Sequence, residues 1–242
     1  MNRSLKSKPV SHSAPLHLRP TAALAERVLL PGDPGRALAL AQSLLEKPLM
    51  FNHHRGLWGY TGAASDGDLL TIQSTGMGGP SAAIILTELI ALGARRAIRT
   101  GTCGALDAAL ELGDLVVARE SICADGTSRA LSAGDRVSAD PELTDRLLAA
   151  APAAHAGTIV SVDLFYETGA QRAQRSGHDA LAVEMEAAAL FAVGAAAGVP
   201  VACVLAVSDT FGPSGARRRI DDDSLLTAAE AMGATALAAL PA

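Results

Sequence analysis

Residues 28–36 read VLLPGDPGR, and this stretch decides the fold class. Three apolar residues predict a short strand, the glycines and prolines predict a tight turn, and residues 36–45 (RALALAQSLL) have helical spacing. Gly32 and Gly35 let the backbone approach a ligand closely, and a helix that begins here would direct its first amides at the loop. The stretch therefore predicts an anion site in an α/β protein. The alternative is an ordinary turn with a solvated Arg36.

Composition limits the function classes. The chain has 242 residues, of which 49% are hydrophobic and 19% charged, as suits one compact domain with a large core. A net charge of -5 gives no indication of a broad basic surface, so we expect no nucleic-acid partner. We expect instead a local site for small anions. Its three cysteines are odd in number and lack paired metal spacing, which favours reduced thiols in a cytoplasmic protein.

The N-terminal segment differs from the body of the chain. Residues 1–16 carry basic residues and prolines without an apolar stretch of secretory length, so we expect a flexible leader. We expect one domain from residue 17 to 242. No run approaches the length needed to cross a membrane, and we expect no membrane partner.

Apolar strand-like segments alternate with helical ones along the body. This alternation predicts an α/β fold. The predicted strands are 28–30, 69–74, 97–100, 115–118, 157–162, 181–185 and 201–209. The predicted helices are 36–45, 80–93, 186–197 and 222–240.

Polar and glycine residues at strand ends have the strongest functional claim, because ligand sites of open α/β sheets form at the carboxyl ends of strands. Residues 74–81 (STGMGGPS) place three glycines around Met77. Residues 98–104 (IRTGTCG) place Arg99 inside an apolar strand, with Thr102 between glycines. A buried arginine needs an anionic partner, either a ligand or an internal carboxylate.

Two acidic stretches complete the set. Asp209 ends the apolar run of residues 201–209, where it either serves the site or caps the next helix. Glu184 and Glu186 in VEMEAAAL (183–190) would share one face of a strand, whereas a strand-to-helix corner would separate them. The spacing leaves open which glutamate reaches a ligand.

These motifs resemble those of the nucleoside phosphorylase family, which includes bacterial hexameric purine nucleoside phosphorylases and uridine phosphorylases. PGDPGR, NHHRG, STGMGGPS, IRTGTCGAL, VDLFY, VEMEAAAL and VSD occur here in the family's order, from about residue 17 to the C-terminus. The resemblance implies a single-domain three-layer α/β/α sandwich with a mixed central sheet. It also implies phosphorolysis of a nucleoside by inorganic phosphate, with no metal or other cofactor.

The resemblance further implies the residues of the site. Arginines and backbone amides would hold the phosphate by charge-assisted bonds. The phosphate residues are Gly32, Arg36, Arg99 and Thr102, with Arg55 from a neighbouring subunit. The nucleoside residues are Glu186 at the ribose hydroxyls, Met77 and Met185 at the sugar, Phe165, Val183 and Glu184 near the base, and a neighbour's His17, for which His12 is the competing assignment.

The leaving base needs an acid. Asp209 would donate a proton to purine N7, provided that burial and the substrate hold that proton at neutral pH. Family members use an arginine beside this aspartate, and among Arg217, Arg218 and Arg219 we name Arg217 and Arg218. A solvated basic helix start is the alternative.

Features of both branches of the family occur in the chain. Asp209 in VSD and the short segment 165–184 favour purine nucleosides, ribosyl or deoxyribosyl. Thr102 and residues 124–129 (ADGTSR) look closer to the uridine branch, and Gln171 with Arg172 would form a partial uracil clamp. We favour purine, with uridine phosphorylase as the alternative.

Two further classes remain in view. A nucleosidase that uses water would lack the three phosphate arginines, and a noncatalytic nucleoside sensor would bind without releasing base. Completion of the site by His17 and Arg55 of a neighbour implies an obligate oligomer, at least a dimer and by resemblance a hexamer built as a trimer of dimers.

Overall fold

A computed structural model describes residues 15–167, 179–212 and 216–241. Within these ranges the chain forms eleven strands, all in one sheet, and six helices. The strands are β1 (Arg27–Leu30), β2 (Leu45–Asn52), β3 (Gly59–Ala64), β4 (Leu69–Gln73), β5 (Arg96–Ala105), β6 (Leu115–Cys123), β7 (Arg136–Ser138), β8 (His155–Ser161), β9 (Ala182–Glu184), β10 (Val201–Phe211) and β11 (Arg217–Arg219). The helices are α1 (Pro34–Leu44), α2 (Gly79–Leu92), α3 (Gly126–Ala130), α4 (Pro141–Ala150), α5 (Ala187–Ala197) and α6 (Asp222–Ala239).

Strand β5 is the central strand of the sheet, because three other strands pair with it. Its first residues pair in parallel with β1, almost its whole length pairs in parallel with β10, and its last two residues pair antiparallel with β9. Because β10 also pairs with β6, β6 with β8, and β8 with β9, these five strands form a closed circuit. Beyond it, β1, β4, β3 and β2 extend the sheet to an open edge. Parallel strands β4, β1, β5 and β10 therefore end on the same side of the molecule.

Alternating side chains fill two hydrophobic clusters on opposite faces of the sheet. Val28 and Leu205 belong to one cluster, whereas their neighbours Leu29 and Val204 belong to the other. Helices α2, α3 and α5 pack together over the first cluster, and α1 and α4 pack against α6 over the second. The expected three-layer α/β/α arrangement with a mixed sheet is confirmed.

All seven strands and four helices expected from the apolar pattern are present, with bounds shifted by a few residues. The pattern did not predict β2, β3, β7, β11, α3 and α4. Strand β2 contains Lys47, with a left-handed φ of 46°, and Pro48, and its register shifts twice, as is typical of an edge strand. Strand β11 consists of three arginines, so hydropathy gave no sign of it. The alternative of a basic helix start at these residues is excluded, since α6 begins at Asp222 after the Asp221 cap.

Hydrogen bonds hold the first described residues against α2. Leu18 is buried, and the Glu88 carboxylate on α2 accepts hydrogen bonds from the amides of residues 16, 17 and 18. The domain limit at residue 17 stays a prediction, since residues 1–14 lie outside the described ranges. Across the part of the chain that the structure describes, no helix has both the length and the apolar character to cross a membrane.

One buried cation ties β1 to the C-terminus. The Arg27 guanidinium is 3% exposed and contacts both carboxylate oxygens of Asp66 at 2.5 and 2.6 Å. It also donates to the carbonyls of Leu69, Asp68 and Leu240. These contacts join the β3–β4 turn, β1 and the end of α6 through a single side chain.

We expect Arg27→Ala to lower the free energy of unfolding by about 2 kcal/mol, because it leaves three carbonyls and a carboxylate without their donor. Urea unfolding followed by circular dichroism measures the change. Arg146→Ala is the matched control, since Arg146 contacts Glu142 in an exposed pair on one helix and should cost only about 0.5 kcal/mol. Equal losses of unfolding free energy in the two variants would contradict the stabilising role of the Arg27 contacts.

Candidate active site

A cavity of about 690 Å³ opens where β1, β4, β5, β9 and β10 end. Most residues predicted for the site line it together, although they come from distant parts of the chain. They are Gly32, Arg36, Met77, Arg99, Thr102, Phe165, Val183, Glu184, Met185, Glu186, Asp209 and Arg217. Their functional roles stay predictions, but their proximity follows from the parallel strands that carry them.

Two predicted residues, Arg55 and His17, lie away from this cavity. Arg55 is exposed in a short 3-10 turn (His54–Gly56), with a left-handed φ of 60°. His17 places its Nδ1 atom 2.7 Å from Glu88 Oε1, on the outer side of α2. The role of both residues at a neighbour's site stays a prediction. The competing His12 and the uracil-clamp candidates Gln171 and Arg172 lie outside the described residues.

Arg218 requires a correction. In β11, Arg219 pairs with Asp209, Arg218 with Thr210 and Arg217 with Phe211. Because side chains alternate along a strand, Arg217 and Arg219 face the cavity and Arg218 does not line it. The structure therefore places Arg217 beside Asp209 and Arg218 outside the cavity lining. Arg219, and not Arg218, is the second arginine that faces the cavity.

Backbone hydrogen bonds join the two glycine loops of the site. The amide of Thr75 donates to Pro31 O at 2.9 Å, and the amide of Gly76 donates to Gly32 O at 3.0 Å. A Cβ atom on Gly32 would lie 3.4 Å from Gly76 O, which is an ordinary van der Waals distance. Gly76 has φ of 74°, and its Cβ would lie 2.7 Å from Ser81 Oγ. Of these two positions, residue 76 is therefore the one that favours glycine for steric reasons.

The start of α1 differs from the sequence expectation. Asp33 caps this helix, and its Oδ1 accepts the amide of Arg36 at 2.7 Å. Pro34 occupies the first helical position and has no amide proton. The Arg36 amide thus points back at the loop as expected, but its partner there is the Asp33 carboxylate, which already occupies the helix start. An anion here must depend more on side-chain cations.

Arg99 supplies the main buried cation. Its side chain is 4% exposed; Nε donates to Glu184 Oε2 at 2.9 Å, and Nη2 pairs with Glu186. Nη1 is buried with no hydrogen-bond partner among the described residues, and it lies 3.9 Å from where a Cβ on Gly32 would sit. Arg99 thus has internal carboxylate partners and still directs one free donor toward the PGDPGR loop.

Arg36 adds a second cation at the same end of the cavity. Burial and the neighbouring positive charge of Arg99 lower the pKa of Arg36, against the weaker opposing effects of Asp33 and Glu186. No hydrogen bond or ion pair to the described residues holds its guanidinium. Two guanidinium groups that repel each other beside an open cavity are suited to an anionic ligand.

The structure separates the two glutamates that spacing left unresolved. Glu184 accepts the amides of Glu186 and Ala187 at 2.9 Å, a hydroxyl proton from Ser161 and the Nε proton of Arg99. Both of its oxygens are occupied, so it caps α5 and anchors Arg99. Glu186 accepts the Gly78 amide at 2.5 Å and pairs with Arg99 at the strand-to-helix corner. Of the two, Glu186 is the better placed for a ligand.

Asp209 lies at the other end of the cavity. Its Oδ1 accepts from Arg217 Nε at 2.7 Å, with Arg219 Nη1 at 3.8 Å, and Ser208 Oγ donates to its Oδ2 at 2.7 Å. The Arg217 guanidinium stacks 4.5 Å above the centroid of the Phe165 ring. Asp209 therefore does not act as a helix cap; it belongs to a paired cluster of charged groups.

This cluster of charged groups lowers the pKa of Asp209. Burial acts to raise the pKa of the carboxyl, but hydrogen bonds from Arg217 and Ser208 and the charges of Arg217 and Arg219 outweigh it, so the pKa lies below its ordinary value. Without ligand, Asp209 is a carboxylate at neutral pH. Burial alone therefore does not hold the proton, and the condition that burial and the substrate together hold it at neutral pH stays a prediction.

Several lining residues were missed by the sequence analysis. Phe211 is one: its ring would lie 3.2 Å from a Cβ on Gly104, so that glycine leaves space for an aromatic wall. Its position two residues after Asp209 was the available signal, because both then face the same way. Ser208, Tyr166, Arg219 and Asp33 also line the cavity. Among the described residues, no three His, Cys, Asp or Glu side chains gather as a metal site.

Comparison with known proteins agrees with this arrangement. The model of the phosphorylase superfamily matches residues 26–241. The chain belongs to that superfamily. A DeoD-type purine nucleoside phosphorylase of Oceanobacillus iheyensis is 35% identical over 195 residues, which cover 77% of this chain and 83% of that protein. The DeoD-type enzyme of Alkaliphilus metalliredigens is 37% identical over 197 residues, with the same coverage of both chains.

A solved structure supports the same conclusion for the fold. Uridine phosphorylase from Vibrio fischeri ES114 aligns with a TM-score of 0.80 and 25% identity, over 90% of this chain and 92% of that one. The protein is thus a member of the nucleoside phosphorylase family. Relatives with purine and uridine names both match it, so membership of the phosphorylase superfamily leaves the base open.

The lowered pKa of Asp209 predicts a pH dependence of stability. A carboxyl whose pKa is depressed below 3.8 by folding stabilises the protein above that pH, and the contribution disappears as the pH falls through its pKa in the folded state. We expect the difference in unfolding free energy between wild type and Asp209→Asn to be constant from about pH 7 to about pH 5 and to shrink below about pH 4. Urea unfolding across this range measures it. A difference that grew on acidification would contradict the lowered pKa.

Proposed function

We propose that this protein cleaves purine ribonucleosides or deoxyribonucleosides with inorganic phosphate, giving free base and pentose 1-phosphate, without another cofactor. One observation carries the proposal: the free, buried Nη1 of Arg99 faces the PGDPGR loop beside Arg36, while the Asp209 and Arg217 pair lies at the opposite end of the same cavity. A nucleoside between these ends would have an anion beneath its sugar and proton-donating groups at its base.

Phosphate would occupy the end formed by Gly32, Arg36, Arg99 and Thr102. Arg99 would present its free Nη1 donor and Arg36 its guanidinium, which aim an oxygen of the dianion at the anomeric carbon. As the glycosidic bond breaks, positive charge develops on the sugar, and the nearby phosphate stabilises it before forming the new bond. Phosphate is therefore the nucleophile, and the protein supplies its orientation.

Glu186 would bind the ribose. Its carboxylate is buried and fixed by the Gly78 amide and by Arg99, so it can accept bonds from sugar hydroxyls without rearrangement. Met77 and Met185 would contact the sugar, with Phe165 and Val183 toward the base. Glu184 would act through Arg99, since its oxygens are already bonded.

Asp209 would protonate the departing base at N7. Because Asp209 is ionised without ligand, its pKa must rise when substrates bind, and a phosphate dianion in the same cavity acts in that direction. Arg217 would hold the carboxyl in place and stabilise the carboxylate that remains after proton transfer. A purine has N7 to accept this proton, whereas a pyrimidine has no equivalent atom.

Uridine phosphorylase is the second candidate, favoured by the structural match to the Vibrio fischeri enzyme and by Thr102. Asp209 with Arg217, and the DeoD-type names of the curated relatives, favour purine. A hydrolytic nucleosidase is less favoured, because it would have no use for Arg36 and the free donor of Arg99.

Base release from inosine, adenosine, guanosine and uridine, each with and without phosphate, tests the proposal. We expect release from the purine nucleosides only when phosphate is present. Arg36→Ala should raise the phosphate KM by roughly tenfold or more, because one charge-assisted contact is lost. The control Arg146→Ala should leave it unchanged. Uridine turnover without purine turnover would overturn the purine assignment, and equal turnover without phosphate would overturn phosphorolysis.

We also propose that the site is completed by a neighbouring subunit in a cytoplasmic hexamer, a trimer of dimers. Charge supports this: around the phosphate end, Arg36 and Arg99 are balanced by Glu184 and Glu186, so a dianion would gain from a further cation. Arg55 is exposed and outside its own cavity, whereas His17 is half-buried with its ring bonded to Glu88. We assign Arg55 to a neighbour's phosphate and His17 to a neighbour's ribose.

Mixing of two inactive variants tests this sharing. If Arg55 acts on a neighbour, Arg55→Ala and Asp209→Asn should each have little activity, whereas subunit exchange between them should restore turnover in hybrid sites that carry neither defect. Assays before and after co-refolding measure the gain. A control mixture of Arg36→Ala with Asp209→Asn should gain nothing, since both residues belong to one chain's cavity. A fully active monomer would contradict the oligomer.

A further inference from the structure

A row of buried hydrogen bonds runs behind the cavity, from the middle of the sheet to the phosphate end. Ser121 Oγ on β6 lies 2.9 Å from Ser161 Oγ on β8, and Ser161 donates to Glu184 Oε1. The other oxygen of Glu184 accepts from Arg99 Nε at 2.9 Å. Ser121 and Ser161 are fully buried and line no part of the cavity.

Counting protons fixes the direction of this row. Ser161 has one hydroxyl proton, which goes to Glu184, while its oxygen accepts the Ala188 amide at 2.9 Å. The Ser121 hydroxyl has two acceptors within reach, Ser161 Oγ at 2.9 Å and Ile122 O at 3.4 Å; in the shorter contact Ser121 donates to Ser161, so each hydroxyl polarises the next toward the carboxylate. With this contact Ser161 uses its donor and both acceptor positions.

Glu184 depends on this support. Its carboxylate is 1% exposed, and burial with the neighbouring charge of Glu186 raises its pKa against the charge of Arg99, so the ionised form that pairs with Arg99 needs donors on both oxygens. The amides of Glu186 and Ala187 approach from α5, and the Ser161 hydroxyl comes from the sheet. Besides Arg99 itself, Ser161 is thus the side chain of the sheet that donates to Glu184.

We propose that Ser161, supported by Ser121, is a positioning residue for phosphate: it holds Glu184, which orients Arg99 so that Nη1 faces the PGDPGR loop. This inference rests on the proposed phosphorolysis, since it concerns how that reaction binds its nucleophile. Gly101 supports the same orientation, because a Cβ there would lie 2.6 Å from Arg99 Nη2. The Arg99 side chain therefore lies along β5 over Gly101, and its carboxylate partners hold the guanidinium in that position.

Ser161→Ala removes the donor to Glu184. We expect the phosphate KM to rise roughly tenfold, the effect of one lost bond to a charged group, while the nucleoside KM changes much less. Ser121→Ala should shift the phosphate KM in the same direction by a smaller factor. Ser161→Thr keeps a hydroxyl and should recover part of the loss. Ser43→Ala, on the exposed side of α1 and outside the cavity lining, is the matched control.

A readout of phosphate binding separates this inference from the proposed function. The rise in Tm on adding inorganic phosphate should be smaller for Ser161→Ala and Ser121→Ala than for wild type. Lower Tm with an unchanged phosphate KM and phosphate-induced shift in both variants would mean a purely structural role and would overturn the inference. If Ser161→Ala does not fold, Ser121→Ala decides by the same two measurements. A wild-type protein that binds phosphate but releases no base would instead overturn phosphorolysis. The phosphate-induced change in Tm would then still decide whether Ser161 is a positioning residue.

Discussion

The buried guanidinium of Arg99 is the constraint on which the site depends. An unpaired cation inside the sheet would be very costly, so the protein must place carboxylates around it. Glu184 and Glu186 do so from the β9–α5 corner, which fixes where α5 begins and how close it lies to β5. The paired atoms hold the side chain still, and the remaining nitrogen is available to a ligand. Structural pairing and ligand binding thus occur on different atoms of one side chain.

The chain sequence established the parallel part of the fold well because buried strands are apolar runs. β1, β5 and β10 were visible for this reason, and so was the gathering of Arg99 and Asp209 at their ends. β2 and β11 were not visible, because an edge strand tolerates Lys47 and Pro48 and a three-residue strand of arginines has no hydrophobic signal. Their strand character comes from antiparallel pairing with the adjacent strands β3 and β10.

The local sequence pattern also could not predict which side chains are ionised or which of them pair with each other. The sequence showed Asp209 after an apolar run, but its pKa depends on Arg217 and Ser208, whose approach is set by the pairing of β10 with β11. The roles of Glu184 and Glu186 diverge because a strand ends and a helix begins between them. In both cases a three-dimensional contact decides between chemistries that the spacing allowed equally.

The composition of β11 has a consequence for the accuracy of strand pairing. Pairing with β10 sends Arg217 and Arg219 toward Asp209 and Arg218 away from it. A slip of one residue would reverse every side chain of an ordinary strand and remove its function. Here the slip would turn Arg218 toward the carboxylate in place of its neighbours. A run of three identical residues therefore keeps a positive charge facing Asp209 despite a register error, on a three-residue strand whose residues are all exposed.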